Sequence, residues 1–383
     1  MTQIPVFKPL LAAEEFAAAR AALELGWLGM GSYVGQFEEA LKKLCGADDR
    51  HVAAVSTGHA ALHLSLLLAG CGPGDEVITP SFNNIADMQA IVATGAKPVF
   101  CDVLDDTLCL DLDSAERLIG PQTKVLIVMD YACHLCDHDR VAEIARRHNI
   151  RVIHDAAHSV GSTYQGKPIG SFADITVFSF DPIKTITTLD GGAIIVRSEE
   201  ELRQLHEMRL IGMKQATRTL YGNTRAWSYD VERLGFRYHL ANLHAALGLA
   251  QLAKFDTIAS TRRALFKQYQ AAFSPISGLK VPGGDMAGIV PFIFYLRVLD
   301  GRREDFRKFL TENGVDTGIH WQPAHGFTLF KDCRKGDLSV TEHIGREIVT
   351  IPFHSCMAPE AAAQVIDTVR RFFASPAKRG HPA

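Results

Sequence analysis

Three short stretches of the chain carry residue types that could act on one ligand. The apolar run Val52-Ala-Ala-Val55 gives way to Ser56-Thr57-Gly58-His59, and a helix-like run follows to Ala69. Free backbone N–H groups at a helix start suit a phosphate, and the Thr57 hydroxyl adds a donor. The same residues also read as a simple helix cap. Asp155 closes a second apolar strand at 151–154, with Ala156-Ala157-His158 behind it. A carboxylate at the carboxyl edge of a buried parallel strand lies where α/β proteins bind ligands. Its plainer reading is again a cap. Lys184 follows a strand-like run at 174–180, in Ser179-Phe-Asp-Pro-Ile-Lys184. Most lysines stay on the surface. One held against buried strands loses hydration, so its pKa falls and the amine becomes free to form a Schiff base. Taken together, a phosphate cradle, a strand-end carboxylate and a strand-end lysine are what pyridoxal 5'-phosphate requires. The carboxylate keeps the pyridine nitrogen protonated, so that the ring can accept electrons.

Two other patterns point elsewhere and are weaker. Gly29, Gly31 and Gly35 suggest a dinucleotide loop, but the third glycine of that fingerprint would fall on Val34, and no strand precedes it. Cys133-His-Leu-Cys136, with His138 nearby, could be half a zinc site or a redox pair. No second CxxC exists to complete it, so a loop after a strand is the better reading, and no metal is expected.

The elements that must position these residues follow from periodicity. Apolar runs at 52–55, 76–79, 97–100, 124–129, 151–154, 174–180 and 192–196 read as strands. Several lack polar alternation, as expected where helices cover both faces of a parallel sheet. Helical spacing at 37–44, 59–69 and 141–147, and the capping box at Ser198-Glu-Glu-Glu201, place helices between them. This alternation argues for an α/β architecture with a large, mostly parallel sheet. After a helix-like stretch at 240–252 the character changes. A Gly-rich loop at 278–288 leads to strands at 292–299, 315–320 and 349–353, a helix at 303–312 and a closing helix from Pro359. The expected division is therefore a large domain at 1–250 and a smaller C-terminal α/β domain at 251–383.

Composition bounds the function. The 383 residues are 47% hydrophobic and 22% charged, which fits a folded globular chain, and the net charge of −3 lacks the basic excess of a nucleic-acid binder. No apolar stretch approaches the roughly 20 residues of a membrane span, and the N-terminus lacks a signal-peptide pattern. Eight scattered cysteines read as free thiols in a reducing cytoplasm.

With these residues in place, the chain resembles the DegT/DnrJ/EryC1/StrS family of sugar aminotransferases in ordered blocks along most of its length. They run from Trp27-Leu-Gly-Met-Gly31 and Phe37-Glu38, through Thr57-Gly-His-Ala-Ala-Leu62, Asp75-Glu-Val-Ile-Thr-Pro-Ser-Phe82 and Gly95-Ala-Lys-Pro-Val-Phe-Cys-Asp102, to Asp155-Ala-Ala-His158, the Lys184 block and Leu234-Gly-Phe-Arg-Tyr-His-Leu240. The resemblance implies the type I aminotransferase fold and a homodimer with shared active sites. It implies that Lys184 is the catalytic lysine, that Asp155 pairs with the pyridine nitrogen, that His158 lies beside the 3′ oxygen, and that Thr57, Gly58 and Ser179 hold the phosphate. Asn84 stands where the family usually stacks an aromatic residue on the ring. Arg237, in a segment that would reach across from the partner subunit towards the phosphate, stands where asparagine is common, and as a cofactor-binding candidate too it could meet the phosphate of either the cofactor or the substrate. Trp27, Arg237, His320, Trp321 and His325 are candidates for the substrate; for each of the last three, packing of the small domain is an equal reading. The implied reaction moves an amino group from L-glutamate to a keto group of a nucleotide-diphosphate-linked hexose or 6-deoxyhexose. Its setting would be the biosynthesis of deoxysugars for lipopolysaccharide, other surface polysaccharide or glycosylated metabolites. A cyclitol or aminosugar-antibiotic aminotransferase, and a non-catalytic regulator on the same fold, remain open at this point. A histidine in place of the lysine would indicate the related dehydratase branch, and Lys184 argues against it.

Overall fold

The computed structural model describes residues 3–284 and 286–374. Asp285 of the expected 278–288 loop and the end of the expected second domain, 375–383, lie outside the described residues. From Ala13 to Asp155 the chain runs α1 (Ala13–Glu24), α2 (Ser32–Leu44), β1 (His51–Val55), α3 (Gly58–Leu68), β2 (Glu76–Pro80), α4 (Ile85–Ala93), β3 (Lys97–Cys101), α5 (Leu112–Leu118), β4 (Thr123–Met129), α6 (His138–His148) and β5 (Arg151–Asp155). A short hairpin of β6 (Thr163–Tyr164) and β7 (Lys167–Pro168) leads to β8 (Ile175–Ser179), β9 (Gly192–Val196) and α7 (Glu199–Met208). The strands form one seven-stranded sheet in the order β1-β9-β8-β5-β4-β2-β3. Only β9 runs against the rest, pairing antiparallel with both β1 and β8. The carboxyl ends of β1, β2, β5 and β8 therefore share one edge of the sheet, and the loops carrying Thr57, Asn84, His158 and Lys184 leave from that edge.

The strands read as apolar runs because both sheet faces are covered. α3 is buried from Ala60 to Leu66, as a helix sandwiched in the interior must be. α2 buries only Val34, Phe37, Glu38 and Leu41, a stripe at helical spacing. The capping box at Ser198 opens α7 as expected, with the Glu201 N–H donating to the Ser198 hydroxyl.

Beyond α7 the chain forms a small hairpin, β10 (Met213–Lys214) with β11 (Asp230–Val231), on either side of α8 (Thr217–Tyr221). Helices α9 (Asn242–Ala253) and α10 (Phe255–Phe273) follow. α10 straddles two cores: Phe255, Ile258 and Ala259 pack with the outer face of the large sheet, and Leu265, Phe266, Tyr269 and Phe273 pack with the C-terminal layer. That layer is an antiparallel sheet of β12 (Leu279–Lys280), β13 (Phe294–Val298) and β14 (Ile348–Ile351), with α11 (Arg303–Glu312), α12 (Ser339–Glu347) and α13 (Pro359–Ala374).

The strand expected at 315–320 is reduced to isolated bridges. Val315 pairs with Ile4, and Gly318 with Thr350. The stretch from Ile4 to Val6 thus lies along the C-terminal layer, where the Phe353 N–H also donates to the Val6 carbonyl. No helix among the described residues is long and apolar enough to cross a membrane.

Candidate active site

At the carboxyl edge of the large sheet a cavity of about 330 Å³ is lined by Thr57, Gly58, Asn84, Asp155, His158, Ser179 and Lys184, among others. Seven residues singled out from sequence thus meet in one place. Each leaves a strand end or opens a helix at the same edge, which is why local sequence pattern could find them.

The cradle is built by a close approach of backbone. The Thr57 hydroxyl accepts the Ala60 N–H at 2.8 Å and so caps α3. The first N–H groups of α3, including those of Gly58 and His59, have no partner within the helix and point out of its end. A Cβ at Gly58 would lie 2.7 Å from the Ser179 Cβ and 2.8 Å from its Oγ, so only glycine lets Ser179 face this helix end. The cap expected on sequence is present, and the same helix end opens onto the cavity.

Asp155, at the end of β5, is buried, and its Oδ1 accepts the Ala157 N–H at 3.0 Å. Burial raises its pKa, opposed by that hydrogen bond and by the Lys184 charge. Lys184 is half-buried on the cavity wall, with its Nζ 4.5 Å from the centre of the buried Phe292 ring. Burial pushes its ammonium down to about 8, against the pull of nearby carboxylates, Asp155 first.

The His158 Nδ1 accepts the Ala132 N–H at 3.3 Å, so the ring proton sits on Nε2. That Nε2 is buried without a hydrogen-bond partner among the described residues. Burial, with the Lys184 and His320 charges, holds the imidazole well below its usual pKa, and the group is neutral. Asn84 caps α4, its Oδ1 accepting the Ala86 N–H at 2.9 Å.

Pyridoxal 5'-phosphate fits this donor set. A glycine-cleared helix end suits the phosphate, a buried carboxylate suits the ring nitrogen, a lysine of lowered pKa suits the carbonyl, and the orphaned Nε2–H of His158 suits a further acceptor.

The remaining candidates lie elsewhere. The Trp321 ring lies 6.3 Å from that of His158, and the His320 ring 4.6 Å from that of Trp321. They form a second layer on the Phe292 side, where burial and then the Lys184 charge lower His320 to about 4. His325 is turned away, held by the Ser81 hydroxyl at 2.8 Å and by Glu342. The Trp27 indole donates to the Met30 carbonyl beside Arg225. Arg237 is exposed and has no ion-pair partner among the described residues. None of these five lines the cavity.

Phe292 and Asp87 are site residues that the sequence did not reveal. Cys133 and Cys136 occupy a loop after β4, and all eight cysteines are free. The loop serves Asp130, whose carboxylate accepts from the Cys136 N–H, His138, His154 and the Ser159 hydroxyl. Burial alone would raise Asp130, but the facing imidazoles hold it well below the usual carboxylate range.

The DegT/DnrJ/EryC1/StrS aminotransferase family model matches residues 9–370. Spore coat polysaccharide biosynthesis protein SpsC of Bacillus subtilis is 32% identical over 376 residues, 96% of each chain. Among solved structures, the aminotransferase TlmJ from Streptoalloteichus hindustanus matches with a TM-score of 0.89 at 31% identity, covering 97% of this chain and 99% of that one. The sugar aminotransferase CalS13 from Micromonospora echinospora matches with a TM-score of 0.86 at 25% identity, covering 96% and 99%.

Proposed function

The chain belongs to the DegT/DnrJ/EryC1/StrS aminotransferase family, and on that premise we propose that it aminates a keto group of a nucleotide-diphosphate-linked hexose, with L-glutamate as donor. It is a pyridoxal-phosphate-dependent sugar aminotransferase of the type I fold; the donor, the carrier on the sugar and the residue roles are our reading. The observation that carries it is the convergence of Lys184, Asp155 and the amino end of α3 on one cavity.

Pyridoxal phosphate, when bound, supplies an electron-accepting ring that takes an amino group from the donor and passes it to the ketone. The α3 end, with Thr57, Gly58 and Ser179, would hold the phosphate. Asp155 would face the ring nitrogen and keep it protonated. Neutral His158 would offer its Nε2–H to an oxygen at the ring edge. With burial lowering its pKa to about 8, Lys184 would hold the cofactor through its carbonyl, and its amine would accept and return a proton at the substrate carbon. Asn84 borders the cavity with its carbonyl engaged in the α4 cap, so it adds an amide where the resemblance leads one to expect a ring.

His320 and Trp321 stand behind His158 and Phe292 and are placed to shape the sugar side of the site. The nearly neutral chain needs local cations for a diphosphate, and exposed Arg237 is our candidate, offered to the partner's site in a homodimer. The apolar surface beside it supports that assembly: Trp227 is 89% and Leu234 77% exposed. The division near residue 250 belongs to the same reading, with α10 as the element joining the two parts. A cytoplasmic setting is supported by the eight free thiols. A surface-polysaccharide role is supported by the name of the Bacillus relative.

The test is mass analysis of products after incubating the holoenzyme with L-glutamate and a panel of nucleotide-linked keto-hexoses. An aminated nucleotide sugar is expected. Amination of free cyclitol ketones alone would favour the cyclitol reading, and no turnover with any ketone would favour a regulator.

A further inference from the structure

The cavity holds a carboxyl group that the mechanism above does not use. Asp87 lies in the first turn of α4, is fully buried, and lines the same cavity as Asp155 and Lys184. Its Oδ2 accepts from the Asn83 amide at 2.5 Å, and its Oδ1 has no hydrogen-bond partner among the described residues. Asn83 is fixed in that orientation, because its own Oδ1 accepts the Asn84 N–H at 2.6 Å. An ionised carboxylate buried with one oxygen unpartnered is far more costly than the neutral acid of the same shape.

Asp155 is better placed to be charged. It receives a backbone N–H from Ala157, and it is the first carboxylate in the electrostatic surroundings of Lys184. Two carboxyl groups in one low-dielectric cavity do not both ionise readily. We propose that Asp87 keeps its proton beside an ionised Asp155, so that of these two buried carboxyl groups only Asp155 faces Lys184 as an anion. Asp87 is then a positioning residue that acts through Asp155.

The other titratable groups lining the cavity are His59, His158, Asp181 and Asp190. Burial lowers both imidazoles, which leaves Lys184 as the one cation among these lining groups. Burial first, and then the Asp155 charge, raises Asp87 well above the ordinary carboxylate range, which agrees with the geometry.

The role toward the cofactor rests on the pyridoxal-phosphate reading of the cavity, but the protonation state can be observed without turnover. Infrared difference spectra of the holoenzyme, wild type minus Asp87→Asn, are expected to show the carbonyl band of a protonated carboxyl group at pH 7. Asp155→Asn should move the pH midpoint of that band downward, since the neighbouring charge is gone. Thermal stability supplies a second readout. The unfolded chain ionises Asp87 above about pH 4 while the folded chain does not, so this residue costs wild type stability as pH rises. The melting-temperature advantage of Asp87→Asn should therefore grow from pH 4 to pH 8. Absence of the band, an unmoved midpoint in Asp155→Asn, or a stability loss in Asp87→Asn that grows with pH would each overturn the proposal. The band belongs to the chain, so finding it in a protein that binds no pyridoxal phosphate would count against the cofactor reading alone.

Discussion

Lys184 is held where its charge is costly, and that cost has a measurable sign. A lysine with a folded pKa near 8 and an unfolded value of 10.5 binds fewer protons when folded, so stability rises with pH between those values. Below pH 8 the wild type bears the whole penalty, less than about 3 kcal/mol given that the group is half-buried. Lys184→Met keeps the volume and loses the charge. The cofactor-free variant is expected to melt higher than wild type at pH 6–7, with an advantage that fades between pH 8 and 10.5, while the holoenzyme loses turnover. A melting difference that stays constant with pH would show that the amine is not desolvated. Asp155→Asn is expected to retain cofactor but to lower kcat by about 100-fold, the scale of removing one electrostatic stabiliser; near-normal kcat would reduce Asp155 to a structural role. These residues were legible because each sits beside a strand end in its own local pattern. Phe292 and Asp87 were not. Phe292 opens an apolar run that reads as core, and it reaches Lys184 only through tertiary packing. Asp87 reads as an ordinary acidic residue in the first turn of a helix.

At the scale of elements, the site depends on how closely α3 approaches β8. Gly58 is the contact, and a Cβ there would press on the Ser179 side chain and lie 3.3 Å from its Cα. The backbone at that point cannot give way as the end of a long side chain could, so the helix start must move away from the strand. Gly58→Ala is expected to weaken pyridoxal-phosphate binding at least tenfold while circular dichroism and the elution volume stay unchanged, with fluorescence titration of the cofactor as the measurement. Unchanged affinity would remove Gly58 from the cradle. The strands around this contact were readable because sandwiching between helices made them apolar runs, and β1 to β5, β8 and β9 fall within a residue or two of expectation. The run at 315–320 failed because its partners are remote in sequence, Ile4 on one side and Thr350 on the other, with a single pair to each. Strand character there depends on neighbours that the local pattern does not contain. α10 was equally hidden, since its apolar stripe changes cores halfway along.

At the scale of the whole molecule, the proposed diphosphate ligand needs a cation that the described lining of one cavity does not supply beyond Lys184, while Arg237 has no ion-pair partner among the described residues. Lys184 is the one lysine or arginine among the described residues lining the cavity, and in the proposed reading it serves the carbonyl chemistry. Arg237 is exposed and pairs through its backbone with Leu210, in the segment that leads from the β10–β11 hairpin to α9. The same region exposes Ile211, Val231, Trp227 and Leu234, large apolar side chains of the kind that mark interaction surfaces. A second copy of the chain covering that surface would bury it and bring an always-charged planar fork to a neighbouring site. The arrangement makes a prediction that no single-chain site can satisfy. Arg237→Ala and Lys184→Ala chains, each expected to be inactive alone, are mixed under conditions where subunit exchange is verified by mass. If Arg237 serves the partner's cavity, a mixed dimer has one site carrying both defects and one carrying neither, so about half of its sites are intact and activity returns. If Arg237 serves its own chain, each site of the mixed dimer keeps one defect and the mixture stays inactive. Full activity of the Arg237→Ala homodimer would instead remove the arginine from the reaction altogether.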